Sequence, residues 1–480
     1  MLTDVFLSFV ILGLFLMKTS SAGDPGVVTR ITQKGLDYAS TIGFTQLHEQ
    51  FKSIRKIPNI VHTGDTYYSL TNLYVDKLTK PHGSIAFVPG HGLKWSMTIP
   101  NAQITGNWRY SKKLWFFRVG DAGSMKINMP ETHVEIIIKL TKTPHGAPDV
   151  KATHCSCDIA FDLDTYNWFY NFVIFLFKGT IRSVLRHQMC EKAVAVINDN
   201  GYEQIINFPL QVPIGYDFML DYRLVNDPLL TTLYMQLEHK AKISWFNDND
   251  VIPFHPGHLP YVSDNGKMIY VVISNYVVDS WSFAAHKHHV LQYVFSSKHL
   301  PAAQSELLMT TCSEETICIG RLIPQIGESF PNSETTVEIS AISRPKIHFQ
   351  SDNIELNING LLRFLVHLQN TSHVDAFGIR VELHGNVKAL VNSSQLFYKV
   401  HSMSFQVGDS GGHYLRNIDV QSLKPLIELV IQGYLVPLIN DYGAKGIPLV
   451  IPQKVSFRDT ELTLMENAAV IGTDLIIHEV

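Results

Sequence analysis

Two stretches, Trp168 to about Asn198 and Leu423 to Tyr442, are long and apolar around much of a helical circumference, and each follows a run of short alternating segments. A helix of that kind has to be covered, and the covering material available here is strand. The first carries Trp168, Phe169, Phe172, Phe175, Leu176, Ile181, Val184, Leu185 and Met189. Ahead of it, period-two patterns with Gly and Pro punctuation predict strands near 83–90, 93–98, 102–108 and 114–119, then a hairpin of 133–140 and 150–163 around Thr143–Pro148. In its second arm Cys155, Cys157, Ile159, Phe161 and Leu163 share one face, while Asp158, Asp162 and Asp164 take the other. The second half repeats this grammar. A helix at 276–286 leads into strands at 336–342, 353–358, 378–383, 387–391 and 396–407, then the long helix, then a strand pair within 454–477. Helix, meander, helix therefore occurs twice, which predicts an α+β chain of two similar halves.

The chain opens with an apolar leader, Met1–Ala22, whose core from Val5 to Met17 ends in Ser20, Ser21 and Ala22. This has the form of a signal peptide and is too short to span a bilayer comfortably. The mature protein is expected to be soluble and secreted. Pro25 and Gly26 then read as the opening of a first helix, with Val28, Ile31, Gly35, Tyr38 and Ile42 at steps of three and four. At 480 residues and 45% hydrophobic composition the chain has material for two or three domains. Pro253, Pro256 and Pro260 among Asn, Asp and Gly mark a linker at 244–266, which divides an N-terminal unit (23–243) from a C-terminal unit (267–480).

The net charge of -4 is unevenly spread. Residues 1–240 hold 23 Lys and Arg against 20 Asp and Glu, and residues 24–123 hold 12 against 6. An anionic partner would be steered to that N-terminal region. Arg55 and Lys56, and Arg109, Lys112, Lys113 and Arg118 beside Trp108 and Trp115, are the cations available for one basic tip. Five cysteines are too few for a disulfide-built scaffold. Cys155 and Cys157 share a strand face, so either is a possible partner for Cys190, and Cys312 and Cys318 are spaced for a small loop. Cys-x-Cys lacks further ligands at metal-site spacing. Asn370-Thr371-Ser372 and Asn392-Ser393-Ser394 are glycosylation acceptors that fit secretion.

The segments Arg30-Ile31-x-x-Lys34-Gly35-Leu36-Asp37-Tyr38-Ala39, Phe87-Val88-Pro89-x-x-Gly92-Leu93-Lys94, Ile104-Thr105-Gly106-Asn107-Trp108, Cys155-Ser156-x-Asp158-Ile159-Ala160, Cys190-Glu191-Lys192, Met268-Ile269-Tyr270, Ser274-Asn275-Tyr276 and Lys445-Gly446-Ile447-Pro448-Leu449 occur in an order and spacing that closely resemble the family of bactericidal/permeability-increasing and lipopolysaccharide-binding proteins, to which phospholipid and cholesteryl ester transfer proteins are related. The resemblance covers nearly the whole mature chain. It implies an elongated, boomerang-like two-barrel fold, each half a twisted antiparallel sheet wrapped around a long helix, with a central sheet joining them. It also implies a Cys155–Cys190 disulfide, bound phospholipid in two apolar pockets with no other cofactor or metal, and lipopolysaccharide binding at the N-terminal tip, where Arg109 and Lys112 fall on basic positions of relatives. Ser111 and Phe116 replace cations found in some relatives, and residues 59–68 contain no Lys or Arg where the family often has a lysine-rich loop.

Two catalytic motifs compete with this reading. Gly408-Asp409-Ser410-Gly411-Gly412 and Ala284-Ala285-His286 resemble serine-protease segments in the correct chain order. Their context differs: no Cys precedes Gly408, no Pro follows Gly412, and no Cys follows His286. The two-barrel reading puts His286 at a helix end and Ser410 in a loop after a strand, and treats His286, His288 and His289 as a solvated helix end rather than a metal site. The expectation is a non-enzymatic, monomeric protein that binds lipopolysaccharide, phospholipid and the bacterial outer membrane surface, but no nucleic acid, in innate antibacterial defence. A lipid-transfer protein without bactericidal activity is the alternative.

Overall fold

The computed structural model describes residues 24–52, 57–160, 168–200, 210–215, 217–248, 251–368, 372–412, 414–415, 418–449 and 455–478. The leader, Arg55, Lys56, Phe161, Leu163 and Asn370 lie outside the described residues.

The first half runs β1 (Val27–Thr32), α1 (Gln33–Lys52), β2 (Ile60–His62), β3 (Thr66–Leu78), β4 (His82–Val88), β5 (Gly92–Ile99), β6 (Ala102–Leu114), β7 (Phe117–Met129), β8 (Thr132–Lys142), β9 (Pro148–Ile159), α2 (Trp168–Ala195), β10 (Gln211–Ile214), β11 (Phe218–Asp221), β12 (Leu229–Leu230), β13 (Tyr234–His239) and β14 (Lys242–Trp245). The second runs β15 (Ile269–Ser274), α3 (Asn275–Lys287), β16 (Gln292–Phe295), α4 (Ile319–Leu322), α5 (Pro324–Ser329), β17 (Glu334–Ala341), β18 (Lys346–Phe349), β19 (Ile354–His367), β20 (His373–Asn392), β21 (Gln395–Gly411), α6 (Lys424–Val430), α7 (Val436–Lys445), β22 (Ile447–Pro448), β23 (Val455–Met465) and β24 (Ala468–Ile477).

In the first half, two four-stranded antiparallel sheets, β2-β3-β6-β7 and β4-β5-β8-β9, enclose α1 and the C-terminal part of α2. Strict alternation along β5 and β8 turns Trp95, Met97, Val134 and Ile136 inward. In the second half a seven-stranded sheet, with β18 paired onto β19, covers α6. There Leu423, Leu426, Ile427, Val430 and Ile431 are all at most 2% exposed, and Phe364 stacks on Phe377 with ring centroids 4.4 Å apart. A π-helical turn, Ile431–Leu435, links α6 to α7, so the expected long helix is continuous. Among the described residues this helix alone is both long and apolar enough to cross a membrane, and its first half lies in the core. A six-stranded sheet ordered β12-β13-β1-β15-β24-β23 joins the halves.

The first helix begins later than its periodicity predicts. Residues 27–32 form a strand that pairs with β13 on one side and β15 on the other. The missed signal is the β-branched run Val27-Val28-Thr29 with Ile31-Thr32, which suits a strand flanked on both sides. The buried face of α1 is accordingly Leu36, Ser40, Phe44, Leu47 and Phe51, not the row through Gly35, Tyr38 and Ile42. At Gly43 the helix backbone lies against Trp95, whose ring would sit 3.0 Å from a Cβ. Two strands expected at 378–383 and 387–391 are one 20-residue strand, β20, accommodated by register shifts against β21.

Cys155 and Cys190 form a disulfide that ties β9 to α2, and Cys312 and Cys318 form another. The residues between β14 and β15 have neither helix nor strand where described, and they lie over the central sheet. There the buried Arg30 guanidinium donates to the Val262 carbonyl and stacks on Tyr234, 4.0 Å from the ring centroid. Two substitutions test this packing. Leu47→Ala, which empties a site with 0% exposure, should cost about 2–5 kcal/mol. Removing the Cys155–Cys190 bridge should cost about 3–4 kcal/mol by the chain-entropy estimate. Both should appear as lower urea midpoints; an unchanged midpoint for either would contradict the packing described.

Candidate functional site

β6 and β7 form a long hairpin whose outer end carries the predicted cations. The expected strand across 114–119 is instead the apex of this hairpin: Leu114 closes β6, Trp115 and Phe116 make the turn, and Phe117 opens β7. Lys113 stands directly opposite Arg118, and Lys112 opposite Val119. Cross-strand partners share a face, so Arg109, Ser111, Lys113 and Arg118 lie on the outer face. Lys112 lies on the other face, continuing the row Ile104, Trp108, Tyr110 beyond the end of the core. The sequence-predicted tip is thus two-sided. Trp108 is half-buried and packs against the core; its indole lies 3.1 Å from where a Cβ on Gly123 would sit.

All four cations are exposed. The Arg118 guanidinium donates to Ser111 Oγ at 3.3 Å and to the Gly64 carbonyl at 3.5 Å, and Lys113 N–H donates to the Asp65 carbonyl at 2.7 Å, which fixes the hairpin against the β2–β3 turn. None of the four forms an ion pair with another described residue. Like charges facing each other across a ladder are mutually destabilising, and a phosphate between Lys113 and Arg118 would relieve that repulsion. The sequence reading set Trp115 beside the tip but missed the rest of its apolar part. Trp115 and Phe116 are each 89% exposed, and Leu114, Phe117 and Val119 are also exposed. The legible signal was four consecutive apolar residues between cations, Leu114-Trp115-Phe116-Phe117.

Inside the same barrel, the end of α1, the bridge residue Ile57, strands β3, β5, β6 and β7, and α2 surround an apolar cavity of about 40 Å³. Phe51, Leu78, Ile104, Met129, Leu185 and Met189 line it. The space lies between both helices and the sheet, and Gln188 is the one polar residue in its lining. Met189 Sδ also lies 3.8 Å from the free thiol of Cys157, which is 2% exposed. Burial pushes that thiol up to about 12.

The remaining motif residues are dispersed. Ser410 is paired with Ile379 inside β21, not in a loop, because β21 continues to Gly411. His286 occupies the last turn of α3, and no hydrogen bond joins the two among the described residues. His288 stacks on Trp245, with centroids 4.5 Å apart, and its Nε2 lies 2.8 Å from Asp248. Asn392 is exposed at the β20–β21 turn.

Fold and site together define a two-barrel α+β protein with a cationic, aromatic-tipped hairpin on its first barrel. The chain belongs to the LBP / BPI / CETP family, whose N-terminal domain profile matches residues 35–199 and whose C-terminal domain profile matches residues 214–477. It is 23% identical over 464 residues to the bactericidal permeability-increasing protein of Sebastes schlegelii, covering 94% of this chain and 95% of that one. It is 24% identical over 480 residues to the lipopolysaccharide-binding protein of Homo sapiens, covering 97% of each. The crystal structure of a lipopolysaccharide-binding protein matches 95% of this chain and 100% of its own, with a TM-score of 0.60 at 20% identity.

The buried thiol provides a check on the interior. At pH 8 a soluble thiol reagent should leave Cys157 unmodified in the native protein and label one cysteine per chain after unfolding without reductant. Rapid labelling of the native protein would contradict the packing of β9 on α2.

Proposed function

We propose that this chain is a secreted, non-catalytic lipid-binding protein of two units, 23–243 and 267–480, joined through 244–266. In this reading its first unit captures the phosphates of bacterial lipopolysaccharide at the β6–β7 tip and it serves innate antibacterial defence. The observation that carries the reading is the pair Lys113 and Arg118, opposed across a hairpin end with no carboxylate partner among the described residues. Arg109 extends the same face, and Lys112 addresses an anion from the other. Arg55 and Lys56 would add to the tip. A planar guanidinium beside an ammonium suits a phosphate monoester, the first through bidentate donation and the second as a point charge. Acyl chains, of lipopolysaccharide or of resident phospholipid, would then occupy the apolar space between α1, α2 and the sheet.

The lipid-transfer alternative is favoured by one specific observation. The β2–β3 turn beside the tip contributes Asp65 and no cation. A tip with few cations suits transient contact with phospholipid surfaces better than tight endotoxin capture.

Changing Lys113 and Arg118 together to Ala should weaken lipopolysaccharide binding at least tenfold at low ionic strength. The deficit should shrink as salt rises, because exposed charges are screened beyond about 10 Å at 0.1 M. Titration against lipopolysaccharide and against phosphatidylcholine vesicles at low and high salt reads both effects. Salt-insensitive lipopolysaccharide binding, equal in wild type and variant, would overturn the mechanism. Equal phosphatidylcholine uptake by both proteins without lipopolysaccharide binding would favour the lipid carrier.

A further inference from the structure

We infer that His239 makes the seam between the two halves acid-sensitive: proton uptake by this one buried imidazole loosens the pairing of β13 with β1, while the second barrel keeps its packing. The inference does not depend on what the hairpin tip binds.

His239 is the last residue of β13 and is 4% exposed. Val27 of β1 stands opposite it on one side and Leu224 on the other, and its carbonyl accepts from the Gly26 N–H at 3.0 Å. The ring stacks on Tyr222, with centroids 3.9 Å apart, and the Tyr222 hydroxyl lies 3.2 Å from Thr29 Oγ1 of β1. The imidazole thus sits beside the strand through which the halves are joined.

Its two nitrogens are not equivalent. Nδ1 lies 3.0 Å from the Tyr222 carbonyl, which can only accept, so Nδ1 carries the hydrogen and Nε2 holds a lone pair. Nε2 is buried and has no hydrogen-bond partner among the described residues. A proton added there would put a charge and an unsatisfied N–H beside the apolar cluster of Val27, Tyr222, Ala241 and Ile243.

The ionisable groups on the neighbouring elements do not offset that cost. Arg223 and Lys240 are cations, and both are paired with Asp221, at 2.5 and 3.1 Å. Lys242 of β14 is a further cation, and the Glu238 carboxylate, on the alternate face of β13, accepts from Asn226 and Gln236. Arg30 and Tyr270 lie on the opposite face of the sheet. From α3 come Asp279, paired with Arg344, and Tyr276, whose hydroxyl burial pushes up to about 12. His145 in the β8–β9 turn is exposed.

Burial accordingly pushes the imidazole down to about 4, which the bond to the Tyr222 carbonyl opposes only in part. Once β13 parts from β1, the ring returns to the ordinary histidine value of about 6.5. A base held lower in the closed state than in the open one stabilises the closed seam fully above about 6.5, and that contribution is lost as pH falls toward about 4. Asp221 titrates outside this window: burial opposes its ionisation, but donation from Arg223 and Lys240 holds its carboxyl below the usual range.

Amide hydrogen exchange of the full chain at pH 7 and pH 5 tests this, expressed as protection relative to unfolded peptide so that slower intrinsic exchange in acid cancels. Wild type should lose about twentyfold in protection across residues 27–32 and 234–239, reversibly, while 361–366 and 377–383 in the second barrel keep theirs. Two variants cannot take up the proton: His239→Gln, whose amide can still donate to the Tyr222 carbonyl, and His239→Phe, whose ring can still stack on Tyr222. Each should lose less than about threefold over the same pH step. A folded variant that loses as much protection as wild type would assign the sensitivity to other groups and overturn the inference. Wild-type protection across 27–32 that is equal at both pH values, or an acid loss spread evenly over both barrels, would overturn it without either variant.

Discussion

The architecture depends on the pairing of one six-residue strand. β1 lies between β13, from its own half, and β15, from the other, with Arg30 opposite Gln236 on one side and Tyr270 on the other. Backbone hydrogen bonds therefore run continuously from the first barrel to the C-terminal hairpin β23–β24, and neither half can place its end of the central sheet without the other. Further contacts cluster around this seam. Lys34 at the start of α1 pairs with Asp474 of β24 at 2.8 Å, and the Ile477 N–H donates to the Tyr38 hydroxyl at 3.1 Å. Arg30 holds the connecting segment over the sheet through the Val262 carbonyl and the Tyr234 ring. Because β1 runs directly into α1, fixing the strand also fixes the angle at which the first core helix enters its barrel.

From that anchor the hairpin tip follows. α1 packs against β5 through Phe44 and Trp95, with ring centroids 5.6 Å apart, and β5 and β8 share the sheet that closes the barrel on that side. In the opposite sheet β6 pairs with the edge strand β7, and their ladder continues past the last buried residue of β6, Tyr110, into solvent. Beyond that point no core constrains side-chain identity, and the residues found there are cations and aromatic rings. A chain selected only for solubility would place polar residues at such an end. The combination of an opposed Lys113–Arg118 pair with exposed Trp115 and Phe116 is therefore the part of the first barrel that its own packing does not explain.

Most of the strand grammar was legible because β5 and most of β8 alternate between core and solvent, and because α2 and α6–α7 carry apolar residues around much of their surface. The start of α1 was misread because Val28 and Ile31 fit a helical period, whereas in β1 they fall on opposite faces of a strand paired along both edges. β20 was divided in two because Gly385 and Asn386 resemble a turn, whereas in the folded chain they continue the ladder beside a register shift. Cations could be picked out at the tip, but the faces they occupy could not, since one residue of register moves Lys112 from one side of the sheet to the other. Exposure of the aromatic apex was invisible for a similar reason: a strand rich in Leu, Trp and Phe reads as core until its position beyond the barrel end is known.

The central claim is that the hairpin end, and not another surface, takes up anionic lipid. Amide hydrogen exchange of the full chain, with lipopolysaccharide and with neutral phosphatidylcholine vesicles, tests it directly at the backbone. The account predicts slowed exchange across residues 112–119 and the neighbouring β2–β3 turn on adding lipopolysaccharide, with little change there on adding phosphatidylcholine. Protection confined to other parts of the molecule, with 112–119 exchanging as in the free protein, would contradict it.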